Sequence, residues 1–145
     1  MHISRKMAAT SRSGAKQRLT GDWGERPEAP IGVVIIDFLA ENLESKYLPL
    51  GLFFEAAKSV DGNDKGAVIN VVNYLTGGAL PLLKLELEYI DDAVVYRLES
   101  DEALAATTRS INPISGDFDP DLSEKLFMCY SISDTGKAVL GRDHD

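Results

Sequence analysis

Reaction chemistry in a small protein usually rests on histidine, cysteine or clustered carboxylates, and this chain offers few of each. His2 and His144 are its only histidines and lie at opposite ends of 145 residues. Neither is placed to be held against a core partner, which removes the side chain most used for proton transfer and metal ligation near neutral pH. A Ser–His–Asp or Cys–His arrangement needs a held imidazole. Cys129, the single cysteine, sits among Phe127, Met128 and Tyr130 and reads as a small buried hydrophobe rather than a reactive thiol. The run Asp117-Phe118-Asp119-Pro120-Asp121 alternates acids like a calcium loop. Its sixth position is Leu122 instead of glycine and its twelfth is Met128 instead of a bidentate acid, so a loop followed by a helix cap explains it better.

Two further acid pairs, Asp91-Asp92 and Asp101-Glu102, stand in the middle of the chain. The first reads as a hairpin turn, and catalytic carboxylates need a desolvating pocket that a turn does not supply. Gly77-Gly78 closes a helix and is followed by no Lys-Ser/Thr, so it is not a phosphate loop. No catalytic, cofactor-binding or metal residue is therefore assigned, no cofactor is expected, and the chain is read as non-enzymatic. The remaining candidates are aromatic. Phe53, Tyr74, Tyr89 and Tyr96 are singled out as lining a small-molecule pocket between a sheet and helices, or else as core.

Charge narrows the partners. Residues 1–20 carry Arg5, Lys6, Arg12, Lys16 and Arg18 and no acid; the other 125 residues carry ten basic and 23 acidic side chains, a net of −13 within a whole-chain net of −8. A body that acidic repels nucleic acid phosphates, so direct DNA binding by it is not expected. No run approaches the roughly 18 apolar residues of a membrane span. One cysteine excludes an internal disulfide and fits a reducing compartment, so a cytoplasmic setting is expected. The basic stretch 1–22 reads as a disordered tail ahead of a single domain over 23–145; a transit-like presequence and a basic arm for polyanions are the other readings of it.

The elements that would position these residues follow from periodicity. Pro30 suits a first helical turn, and Ile31, Ile35, Phe38, Leu39 and Leu43 recur at helical spacing, giving a helix near 31–44. Leu52–Lys58 reads as a short helix, and Ser59-Val60-Asp61-Gly62-Asn63 as a turn. Asp64 is an N-cap for a helix over 64–76 whose stripe is Ala67, Val68, Val71, Val72 and Leu75, ended by Gly77-Gly78. Leu83 to Glu99 alternates apolar and charged residues as a hairpin. With Asp91-Asp92 as the turn, Tyr89 pairs with Val94, Leu87 with Tyr96 and Leu85 with Leu98 on one face, and Glu86 with Arg97 and Lys84 with Glu99 on the other. The preceding helix is expected to pack on this hairpin. Asp101–Arg109 adds a helical turn, and a last helix near 120–140 starts at Asp119-Pro120 and stops at Gly141. The fold class is α+β: a small antiparallel sheet centred on the hairpin, packed against three or four helices.

The segment Asp64–Glu99 resembles the N-terminal sensory, arabinose-binding-like domain of AraC/XylS-type transcription regulators. There a helix ending in "RYL"-like residues leads into an "LRLxLEEDGDxVRLRLE" hairpin; here Asn73-Tyr74-Leu75 leads into LKLELEYIDDAVVYRLE, and Ala138-Val139-Leu140-Gly141-Arg142-Asp143 is similar to the family's late helix. The basic domain with two helix-turn-helix units has no counterpart here, so the resemblance implies an effector-binding region alone, such as a truncated regulator. It implies a small-molecule effector and a homodimer as partners, and no functional residue carries over. The other reading, drawn from charge, is an acidic interaction protein that binds a basic partner.

Overall fold

The structure, a computed structural model, describes residues 11–61 and 64–141. His2, His144, the first ten residues of the basic stretch, Gly62-Asn63 and Arg142-Asp143 lie outside the described residues. Those described form an α+β protein of six helices and a small three-stranded antiparallel sheet in the order β2–β1–β3. In chain order these are α1 (Arg12–Trp23), α2 (Glu28–Ala40), α3 (Leu50–Asp61), α4 (Lys65–Thr76), β1 (Leu83–Asp91), β2 (Val94–Arg97), α5 (Ser100–Arg109), β3 (Leu126–Ile132) and α6 (Asp134–Leu140). By contacts the chain divides into two compact units, one of residues 1–84 and 130–145, the other of residues 85–129.

The first unit is helical. Its start corrects the tail expected over 1–22, because residues 12–22 belong to α1. Ser11 caps that helix by accepting from Gly14 N at 3.0 Å, and Ala15 and Leu19 are fully buried. The basic residues that suggested a tail instead hold α1 to α2: Asp37 accepts from Arg12 at 2.9 Å and Lys16 at 2.6 Å. The helices approach closely at Gly32, where a methyl group would overlap the Leu19 side chain. Ile31, Ile35, Ile36 and Leu39 of α2 then meet Phe53, Val68, Val71 and Leu75 in one core. As expected, the Asp64 carboxylate caps α4 through Ala67 N at 3.0 Å. α4 packs in this unit on α2 and α3. Its apolar stripe is satisfied by helices, the usual partners of a half-covered helix.

The second unit contains the hairpin. The observed register pairs Glu88 with Arg97, Tyr89 with Tyr96, Ile90 with Val95 and Asp91 with Val94, two residues away from the expected pairing. Asp92, with φ +55, and Ala93 make the turn; aspartate tolerates that left-handed backbone better than most residues. A shift of two keeps every side chain on its face, so the apolar face survives while its partners change. Leu98 N now donates to Leu87 O at 2.9 Å, and Arg97 lies 2.9 Å from Glu88 and 3.6 Å from the expected Glu86. The apolar core of this unit joins Tyr89 and Leu98 to Ala106 of α5 and Leu122, with Leu87, Tyr96, Ala103 and Leu126 packed against it. Leu85, expected under cover, is 45% exposed.

The long last helix expected over 120–140 is not formed. A 3-10 turn over Leu122–Lys125 leads into β3, and only Asp134–Leu140 is helical. Leu126, Met128, Tyr130 and Ile132 fit a strand as well as a helix, and Ser131 and Ser133 weaken the helical alternative. Ser133 caps α6 instead, accepting from Gly136 N at 2.9 Å and donating to Pro81 O at 2.6 Å.

Candidate ligand cleft

The four aromatic candidates fall into separate roles. In the first unit, Phe53 is fully buried with edge contacts to Phe38 and Tyr130, centroids 6.0 and 5.7 Å apart. Tyr74 stacks edge-on with Trp23 at 5.7 Å, and its hydroxyl donates to Asp22, which also takes Arg18 at 3.2 Å. Burial, with that acceptor beside it, raises the Tyr74 pKa. In the second unit Tyr89 and Tyr96 face each other across the hairpin.

The Tyr89–Tyr96 pair leads to the site. From β2, the Tyr96 hydroxyl donates to Glu102 of α5, 2.8 Å from Oε1 and 2.9 Å from Oε2, and that acceptor raises its pKa. From β1, the Tyr89 hydroxyl donates to Asp91 at 3.2 Å and accepts from the Asn112 amide at 3.3 Å. Asn112 is buried at the root of the loop after α5 and uses its whole side chain. Its Oδ1 accepts from Ile114 N and Ser115 N at 2.8 and 3.2 Å, and its Nδ2 also donates to Asp119 at 3.1 Å. Lys125 closes the network on Asp119 at 3.0 Å; hydrogen bonds from Lys125 and Asn112 hold the Asp119 carboxyl below its usual range. The acids of the supposed calcium loop are thus partly spent on lysine and asparagine.

Between α5 and this loop lies a cleft of about 350 Å³, lined by Asp101, Glu102, Ala105, Arg109, Ile111, Asn112, Pro113 and Gly116. Local backbone contacts build both walls. Glu99 and Glu102 form a reciprocal capping box that starts α5, with Glu102 accepting from Glu99 N at 2.8 Å. Ser110, at φ +55, ends the helix with its N–H on Ala106 O at 3.1 Å. The loop then folds back on itself through the Ile111–Phe118 bridge and Asn112 N to Asp117 O at 2.9 Å.

From sequence, Asp101-Glu102 stands only as an acid pair at the start of a helical turn, and neither Arg109 nor residues 112–116 is singled out. The readable signal was the spacing Asp101, Ala105, Arg109: i, i+4 and i+8 share one helix stripe. Cys129 is fully buried, 3.9 Å from Arg97, and burial raises its pKa. Among the described residues no group of three or more His, Cys, Asp or Glu is placed to hold a metal ion, and no helix is long and apolar enough to cross a membrane. Compared with known proteins, the chain matches no family model, no curated protein and no solved structure.

Proposed function

We propose that the protein is a non-enzymatic sensory unit that binds a small effector in the α5 cleft. One observation carries the reading: both walls of the cleft hang from a single cross-strand pair. Tyr96 fixes α5 through Glu102, and Tyr89 fixes the loop through Asn112. Such a site is set by the sheet before a ligand arrives, which lowers the ordering cost of binding. A ligand touching both walls favours the conformer in which both struts are made, and differential affinity of that kind shifts a regulatory equilibrium.

The test is an amide-resolved NMR titration of the full chain with a probe panel: short-chain carboxylic acids, primary amines, dipeptides and monosaccharides. The expected result is a set of shifts confined to 101–116 for at least one class. Shifts scattered over the surface, or none for any class, would overturn the reading.

A further inference from the structure

Building on the cleft as the effector site, we propose that its ligand is a zwitterion with separated charges, a dipeptide carrying an apolar C-terminal side chain. The first observation is an arginine. Five arginines are described, and four lie 2.9–3.3 Å from a carboxylate: Arg12 on Asp37, Arg18 on Asp22, Arg26 on Glu28 and Arg97 on Glu88. Arg109 has no such partner among the described residues, although acids outnumber lysine and arginine 23 to 15. It faces into a cleft that holds two carboxylates and pairs with neither. Its planar fork of donors suits a carboxylate held in two parallel hydrogen bonds.

The second observation is the spacing. Asp101 and Arg109 lie eight residues apart on one stripe of α5, an axial rise of about 12 Å. Helical side chains lean toward the N-terminus, so the guanidinium comes back over Ala105, whose methyl leaves the middle of the stripe open. Asp101 Oδ1 accepts from Glu102 N at 3.0 Å, leaving Oδ2 for an ammonium group. Glu102 is committed to Tyr96 and the cap, and Asn112 is saturated, so neither competes. The charges to be matched are therefore several ångströms apart. A free amino acid carries both of its charges on one carbon and cannot reach across, whereas two residues of extended chain span about 7 Å.

The apolar groups fix the direction. Ile111 and Pro113 line the cleft just beyond Arg109. Phe118 lies opposite Ile111 in a bridge, so its side chain shares that face; it is 68% exposed, and Ile114 is 54% exposed. An apolar side chain seated there belongs to the residue whose carboxylate meets Arg109, which is the C-terminal one. Two nearby carboxylates disfavour a phosphate or any other polyanion.

The test uses alanyl-phenylalanine and the full chain, read by amide NMR. It is expected to shift Ala105, Ile111, Ile114 and Gly116, and its N-acetyl and C-amide forms are each expected to bind about tenfold more weakly, as loss of one charge-assisted contact implies. Arg109→Gln is expected to erase the difference between acid and amide while keeping that between free and acetylated amine. Asp101→Asn is expected to do the reverse. A merely structural loss would move both differences together, and that outcome overturns the proposal. So does equal binding of free phenylalanine. If alanyl-phenylalanine leaves the cleft amides unmoved while another class in the panel shifts them, the dipeptide is wrong and the cleft stands; if nothing shifts them, both fall.

Discussion

Replacing Gly136 by alanine tests how α6 is docked. Alanine normally improves a helix by up to about 1 kcal/mol relative to glycine, so propensity alone points to stabilisation. The packing points the other way. A methyl on Gly136 would overlap the Leu82 carbonyl oxygen, and would lie 2.8 Å from the Ile132 methyl and 3.1 Å from the Leu82 carbonyl carbon. Two of these three atoms are backbone and cannot rotate aside. Relief requires α6 to lift, which strains Ser133 N to Leu82 O at 3.0 Å and Ser133 Oγ to Pro81 O at 2.6 Å. Overpacking costs about 1–3 kcal/mol, and each weakened hydrogen bond costs about 0.5–1.5 kcal/mol. Set against the propensity gain, the net loss spans about 1–5 kcal/mol with a middle value of about 3 kcal/mol.

Gly66 on α4 is the control, since a methyl there meets only Asp64 Oδ1 at 3.9 Å; Gly66→Ala is expected to gain about 0.5–1 kcal/mol. The assay is urea unfolding followed by Trp23, the single tryptophan and a resident of the same unit. With a urea slope of about 1–3 kcal/mol/M, Gly136→Ala should lower the midpoint by about 1–2 M while Gly66→Ala raises it slightly. A Gly136→Ala midpoint at or above that of the unaltered protein would refute the docking argument.

Tyr89→Phe and Tyr96→Phe each remove one strut; the first, at a buried hydroxyl, is expected to cost about 0.5–1.5 kcal/mol, and the second to loosen α5 from the hairpin. Hydrogen exchange should quicken in α5 for Tyr96→Phe and at Ile114 and Ser115 for Tyr89→Phe. Cys129 should react with iodoacetamide at least about 100-fold faster in urea than in the folded protein, because its thiol is buried and its pKa raised. Stability should also fall at both pH extremes, read as urea midpoints. Asn70's hydrogen bond, aided by Arg26, lowers the Glu28 pKa against the effect of burial; for Asp37 the desolvation cost is outweighed by Lys16 and Arg12. Depressed carboxyls stabilise the fold above their unfolded values near 4 and lose that contribution as pH falls through the folded ones. Burial raises Cys129 and Tyr130, so their contribution is complete below the unfolded values, about 8.5 and 10, and is lost as pH rises through the folded ones.

Local signals in the sequence served well where one neighbour decides the outcome. The Asp64 cap, the α4 stripe and the two faces of the hairpin are all set by residues a few positions apart. Decisions that depend on distant partners were not legible. Residues 12–22 looked like a tail because the acids that meet Arg12 and Lys16 lie 21 or more residues on, at Asp37 and Glu41. Leu126–Ile132 suits either helix or strand, and the pairing with β1 that decides it involves residues about forty positions back. The cleft was hidden for the same reason: Asp101 and Arg109 take on meaning only once the 110–119 loop folds across them.

The two-residue shift in the hairpin bears directly on the cleft. In the register counted from sequence, Tyr89 faces Val94 and Tyr96 faces Leu87. In the observed register the two tyrosines face each other, and their hydroxyls diverge to Asn112 on one wall and Glu102 on the other. A pair chosen for its aromatic surface therefore acts through its polar ends. This also explains why neither tyrosine lines the cleft although each is tied to one of its walls. A ligand contact would have to compete with hydrogen bonds that the fold already uses, whereas Asp101 and Arg109 keep donor and acceptor capacity to spare. On the proposed reading, the groups that bind are those the fold leaves unsatisfied, and the saturated groups behind them set the geometry.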